Sequence, residues 1–134
     1  YAYGMNVACS FLEYDGKILI VARQNHKTQK YEWDIPAAKV QVDESSIDAA
    51  TRVVYAETGY RLAVDDIKSV GTFEFVSGNN EPYVMKAYKV TVESSPSLYS
   101  GNLRSEWATP AEVIKRDDLI KNFALLLKLA GYCN

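Results

Sequence analysis

One stretch of this chain limits its fold more than any other, the run from Trp33 to Tyr60 that reads WDIPAAKVQVDESSIDAATRVVYAETGY. Trp33-Asp34-Ile35-Pro36 leads into a short strand through Val42, and the proline, which has no N–H for a sheet ladder, points to a strand start or an edge. A helix begins soon after. Ser45 followed by Asp48 fits a capping box, in which the hydroxyl accepts a first-turn N–H and the carboxylate reaches back to the cap. Gly59 supplies the left-handed stop at the other end. Along this helix Ile47, Ala50 and Val54 make an apolar stripe, and Asp48, Arg52 and Tyr55 a polar one. Val53, Ala56 and Glu57 stand at i, i+3 and i+4, so their side chains share a third face.

The flanking segments supply a sheet. From Met5 to Arg23 the pattern is a hairpin, with strands Met5–Glu13 and Lys17–Arg23 about Tyr14-Asp15-Gly16. Ile18 to Val21 is an unbroken apolar run, as expected of a strand covered on both faces. Gln24 to Lys30 is polar without period and reads as a loop at the rim of a site. Beyond the helix, Ile67–Val76 and Tyr83–Val92 read as strands joined through Ser77-Gly78-Asn79-Asn80. Pro96 to Leu103 reads as a surface loop and Glu106-Trp107 as part of a last short strand. Thr109-Pro110-Ala111-Glu112 combines a capping box with proline at the first helical position. A final helix from about Asp118 to Ala130 carries Leu119, Phe123, Leu126 and Ala130 at helical spacing and stops at Gly131. The order strands, helix, strands, helix predicts an α/β fold, a mixed sheet with helices on both faces. A single domain over residues 1–134 is long enough to bury the core this needs.

The organising stretch resembles the Nudix signature, G-x5-E-x7-R-E-U-x-E-E-x-G-U with U an aliphatic residue. Glu44, Arg52, Val54, Glu57 and Gly59 hold their offsets without a gap. Ala38 stands at the opening glycine, preceded by Ala37, and the three glutamates with which the family holds divalent metal against a diphosphate read Val53, Ala56 and Glu57. The resemblance covers essentially the whole chain and implies a Nudix-like α/β/α sandwich, with one helix from the signature and one at the C-terminus. It also implies a MutT-like pyrophosphohydrolase acting on a nucleoside diphosphate linked to another group. Mg or Mn is the implied cofactor, with Glu57 and Glu44 as its remaining ligands. The family role of Arg52 is a salt bridge that fixes the loop, here to Glu44.

Hydrolysis of such a diphosphate builds charge on oxygens that are already anionic, and a metal ion both offsets that charge and lowers the pKa of the attacking water. If metal supplies roughly 4 kcal/mol, weakening it costs on the order of a thousandfold in rate. Valine and alanine cannot ligate, so two readings from different classes follow. One is a hydrolase with a reduced metal site, in which Glu57, Glu44 and Arg52 carry the chemistry and Glu74 or Glu81 assists. The other is a Nudix-fold module that binds a nucleotide or a partner without turnover. Arg23 offers a bidentate fork and Lys39 a point charge to phosphate oxygens, Trp33 an aromatic face to a base, and Glu81 a carboxylate from the later hairpin. Each has a plainer alternative: exposed strand charges for Arg23 and Lys39, core packing for Trp33, a surface histidine for His26, a buried thiol for Cys9. Val53 and Ala56 also create apolar surface on one helical face, suited to a homodimer contact.

Charge and cysteine usage narrow the partners. A formal net charge of -2 gives no bulk electrostatic reason to bind nucleic acid or an anionic membrane. No run approaches the roughly 20 apolar residues of a membrane span. Cys9 and Cys133 lie near opposite ends without CxxC spacing, which argues against a disulfide framework or a metal knuckle. That cysteine usage makes a reducing, cytoplasmic location the expectation, and no charged-then-apolar leader is seen after Tyr1.

Overall fold

The computed structural model describes residues 5–93 and 104–134, and places seven strands in one mixed sheet. Strands β1 (Met5–Tyr14) and β2 (Lys17–Gln24) form the expected hairpin, turning on Asp15 and Gly16 at φ 52° and 74°. Two successive positive φ values give the turn a twist that matches the strands it joins. The strands pair only beside that turn, at Glu13–Ile18 and Tyr14–Lys17. Beyond it they part, and the chain from Tyr31 to Lys39 fills the opening. Strand β3 (Tyr31–Asp34) pairs with the half of β2 far from the turn, and β4 (Ala37–Lys39) with the half of β1 far from it. At the crossing, the Ser10 N–H donates to the Pro36 carbonyl at 3.1 Å. Proline is tolerated there because the chain is changing partners, so its missing N–H leaves no ladder bond unmade. The strand expected to run through Val42 ends at Lys39, and Val42 is fully solvated.

On its other edge β1 pairs in parallel with β6 (Pro82–Thr91), and β6 pairs antiparallel with the edge strand β5 (Lys68–Val76). Strand β7 (Arg104–Ala108) covers the outer edge of β2. Helix α1 (Ser46–Thr58) lies on one face, where Ala49, Ala50 and Val54 join Ala8, Leu12 and Leu19. Helix α3 (Phe123–Leu129) lies on the other, where Phe123, Leu126 and Leu127 join Cys9, Phe11, Ile18 and Ile20. Alternate residues of β1 and β2 therefore feed opposite cores, which explains the unbroken run Ile18 to Val21, each 1% exposed or less. The result is the expected α/β/α sandwich.

Local signals at the helix ends are largely realised. Ser45 Oγ accepts the Asp48 N–H at 3.1 Å, without a return bond from the Asp48 carboxylate, and Gly59 takes φ 81°. A short α2 (Pro110–Val113) carries the full Thr109–Glu112 capping box with proline in its first turn. The C-terminal helix starts later than its spacing predicts. Asp118 to Ile120 lie along the free edge of β3, where the Trp33 N–H donates to Asp118 and the Ile120 N–H to Trp33, both at 2.9 Å. Those backbone groups are spent on the sheet, so α3 forms only after Asn122, at φ 77°. The surface loop expected over Pro96 to Leu103 lies outside the described residues. No described helix is long and apolar enough to cross a membrane.

Candidate functional site

The loop between β4 and α1 is fixed by one carboxylate. Glu44 Oε2 accepts from Arg52 Nε at 2.8 Å, and Oε1 accepts from Arg52 Nη2 at 3.1 Å and from the Gln41 N–H at 3.0 Å. Arg52 Nη2 also donates to the Lys39 carbonyl at 3.1 Å. The bond from Arg52, then that from Gln41, holds the Glu44 carboxyl below the usual carboxylate range, and the same pairing raises Arg52. Both oxygens of Glu44 are thus committed to the clamp, as is the carbonyl of Lys39, whose residue is otherwise exposed.

On α1 the three signature positions differ in burial. Val53 is 6% exposed and turned into the core, while Ala56 is exposed. The apolar surface expected of the pair as a homodimer contact is reduced to the alanine. Glu57 is ion-paired: Arg23 Nη2, from the end of β2, donates to its Oε2. The Glu57 side chain is 12% exposed and that of Arg23 44%, and Glu57 Oε1 is buried without a partner. Glu74 and Glu81 are exposed on β5 and on the turn after it. Among the described residues, no three of His, Cys, Asp and Glu come together in a group that could hold a metal ion. Magnesium needs an octahedron of oxygens and usually one or two carboxylates with substrate phosphates. One carboxylate that already has a cation does not fit that need.

A cavity of about 270 Å³ opens between the sheet and the start of α3. Phe75, Met85 and Phe123 give it apolar walls, and Asp34, Tyr83 and Asn122 bring polar groups to it. Asn122 Nδ2 donates to the Val76 carbonyl and to Tyr83 Oη, both at 3.0 Å, which fixes the amide. Asp34 stands at the end of β3 where β1 and β2 diverge. It is half-buried, its Oδ1 accepts the Ile35 N–H at 2.8 Å, and burial pushes its carboxyl up to about 6. The Ile35 N–H and the charge of Arg23 pull the other way. Arg23 therefore acts both on the carboxyl in the cavity and on Glu57 at the end of α1. Asp34 in turn raises the buried Cys9 thiol further than burial alone does.

Trp33 is 8% exposed and does not line this cavity; its ring lies beneath Arg116, 4.7 Å from the centroid, in a network of Arg116 with Asp118 and Glu106. Glu81 contributes its N–H to Ser77 Oγ in the turn at the cavity mouth. His26 is exposed in the turn after β2. Asp34 and Asn122 were not singled out from the sequence as site residues. Their signals were a carboxylate between Trp33 and the apolar run Ile35-Pro36-Ala37-Ala38, and an asparagine directly before an apolar helical run, where a left-handed conformation suits it.

An α/β/α sandwich with a diverging β1–β2 hairpin and a Glu–Arg clamped loop before its helix defines a Nudix-type domain. Residues 2–128 match the family described as NUDIX domain, and the chain belongs to the Nudix family. A MutT-like protein of Streptomyces ambofaciens is 29% identical over 130 residues, covering 96% of this chain and 79% of that protein. The fold is similar to that of the MutT protein from Methanosarcina mazei Go1, with a TM-score of 0.78, 18% identity and 97% and 95% of the two chains covered. It is also similar to the NUDIX domain of Shewanella oneidensis NrtR complexed with ADP ribose, with a TM-score of 0.75, 18% identity and 97% and 88% covered. At these identities the structural likeness is one of fold.

Proposed function

We propose that this chain binds a nucleoside diphosphate derivative, with the nucleoside in the cavity beside α3 and the diphosphate toward Arg23, and does not hydrolyse it by metal-assisted attack at α1. The observation that carries this reading is the state of Glu57. The last signature glutamate is already neutralised by Arg23, while Val53 is buried and both oxygens of Glu44 serve the loop clamp. The nucleotide half is supported by the make-up of the cavity, mostly apolar with a few convergent polar groups, as small-ligand pockets are. The likeness to the NrtR NUDIX domain, whose structure holds ADP ribose, makes ADP-ribose the first ligand to try.

Titration calorimetry with ADP-ribose in excess EDTA, beside a turnover assay with Mg or Mn, tests both halves. Binding in EDTA with no metal-stimulated cleavage is expected. Metal-dependent cleavage that disappears in Glu57→Gln would instead establish a working one-carboxylate hydrolase. No binding of ADP-ribose, ADP or GDP under either condition would remove the nucleotide reading.

A further inference from the structure

On α1 the signature positions have lost two anions and the remaining one is paired with Arg23. We propose that the Arg23 guanidinium takes the place of the divalent cation, anchored by Glu57 and turned toward the diphosphate, so that anion binding in this chain requires no metal. This rests on the nucleotide-binding reading above and names the group that holds the charged end.

Charge balance comes first. Three glutamates on one helical face demand a cation, whereas Val53, Ala56 and Glu57 leave a single negative charge, which one guanidinium matches. A divalent ion approaching Glu57 meets Arg23 already in place and is repelled by it. The exposure contrast sets the direction. Glu57 is 12% exposed and serves as the anchor, while Arg23 is 44% exposed and faces outward. A guanidinium carries five N–H donors in a planar fork that matches two phosphate oxygens. Among the described residues its only hydrogen bond is the one from Nη2 to Glu57. Arg52, by contrast, spends Nε and Nη2 on Glu44 and the Lys39 carbonyl. Position completes the case. Arg23 stands two residues along β2 from Val21, which pairs with Asp34, and Asp34 lines the cavity, so an anion on Arg23 lies on the same stretch of sheet as that cavity wall.

Glu57 then has the opposite role from a metal ligand. As the counter-charge of Arg23 it competes with the diphosphate, and removing its charge strengthens anion binding instead of abolishing it. Inorganic pyrophosphate is the probe of choice because it needs no nucleoside pocket. Calorimetry in excess EDTA compares the wild type with Arg23→Gln, Arg23→Lys and Glu57→Gln, each checked for folding by circular dichroism. The expected results are metal-free binding of pyrophosphate and a loss of about tenfold or more in Arg23→Gln, as for a charge-assisted hydrogen bond. Partial recovery is expected in Arg23→Lys, and tightening of about threefold in Glu57→Gln as an adjacent screened charge disappears.

Binding that needs Mg or Mn, or that is indifferent to Arg23→Gln, overturns the proposal. So does weaker binding in Glu57→Gln, and that variant decides alone if Arg23→Gln does not fold. Adenosine and ADP-ribose separate the two readings. If neither binds better than pyrophosphate, the nucleoside pocket fails while Arg23 stands. If ADP-ribose binds without metal and Arg23→Gln leaves it unchanged, the pocket stands and the assignment to Arg23 falls.

Discussion

Asp34 holds its charge at a cost to folding, and Asp34→Asn measures that cost. The carboxyl is half-buried at the cavity wall, and burial raises it from the ordinary 3.8 to about 6. Below pH 3.8 the folded and unfolded chains both carry the proton. Between 3.8 and 6 the folded chain retains a proton that the unfolded chain has released, so stability falls as pH rises through that window. Above 6 the penalty is complete. At about 1.36 kcal/mol per pH unit, the rise amounts to about 3 kcal/mol. Asparagine keeps an acceptor for the Ile35 N–H and nearly the same volume, but has no charge to desolvate. Asp34→Asn is expected to stabilise the protein by about 2 to 3 kcal/mol at pH 7.5 and by under about 1 kcal/mol at pH 4. Urea denaturation at both pH values reads the difference, with unchanged m values confirming that the unfolded state is the same. An equal gain at both pH values, or a loss at pH 7.5, would refute the reasoning by showing that the charge is not desolvated. A carboxylate that lowers stability in a cavity wall is a candidate for function, so the stabilised variant should also bind ADP-ribose more weakly.

Three further perturbations follow from the same geometry. Gly59→Ala places a β-carbon at φ 81° and should cost about 1 to 2 kcal/mol in thermal denaturation; no loss would mean the helix stop relaxes freely. Val53→Glu should destabilise by about 2 to 4 kcal/mol at pH 7, from lost apolar burial and a desolvated carboxylate, and by less at pH 4, where the acid is protonated. Combined with Ala56→Glu it should regain roughly 2.7 kcal/mol when Mn is present at a hundred times its dissociation constant; equal stabilisation of the wild type by Mn would contradict the proposal that α1 works without metal. Arg52→Ala should speed amide hydrogen exchange at Gln41 and Glu44 on the order of tenfold while α1 stays protected, since the clamp and not the helix loses its partner.

The helix from Ser45 to Gly59, its cap and its left-handed stop were legible because each depends on groups within a few turns of one another, and the Glu44–Arg52 clamp because the family resemblance implies it. The β1–β2 turn and the capping box at Thr109 were legible for the same reason. The strand through Val42 and the start of α3 were misplaced, since both boundaries depend on which distant strand claims the backbone. The ladder with β1 ends at Lys39, followed by one more bond from the Val40 N–H to the Asn6 carbonyl, and Asp118 to Ile120 are claimed by Trp33. Arg23 and Glu57 were each singled out, but nothing local joins residues 34 positions apart. Asp34 and Asn122 share a cavity only once residues 118–120 pair along the edge of β3 and bring the start of α3 to it.

By itself the sequence determined the Nudix family of this chain, its α/β/α layering and the loss of two signature carboxylates, because periodicity, turn chemistry and fixed offsets act over short separations. The tertiary structure alone decided what took their place. The pairing of Arg23 with Glu57, the burial of Val53 and the desolvation of Asp34 all depend on how β1 and β2 diverge around β3 and β4. Those contacts are set by sheet register, and register is a property of the whole fold.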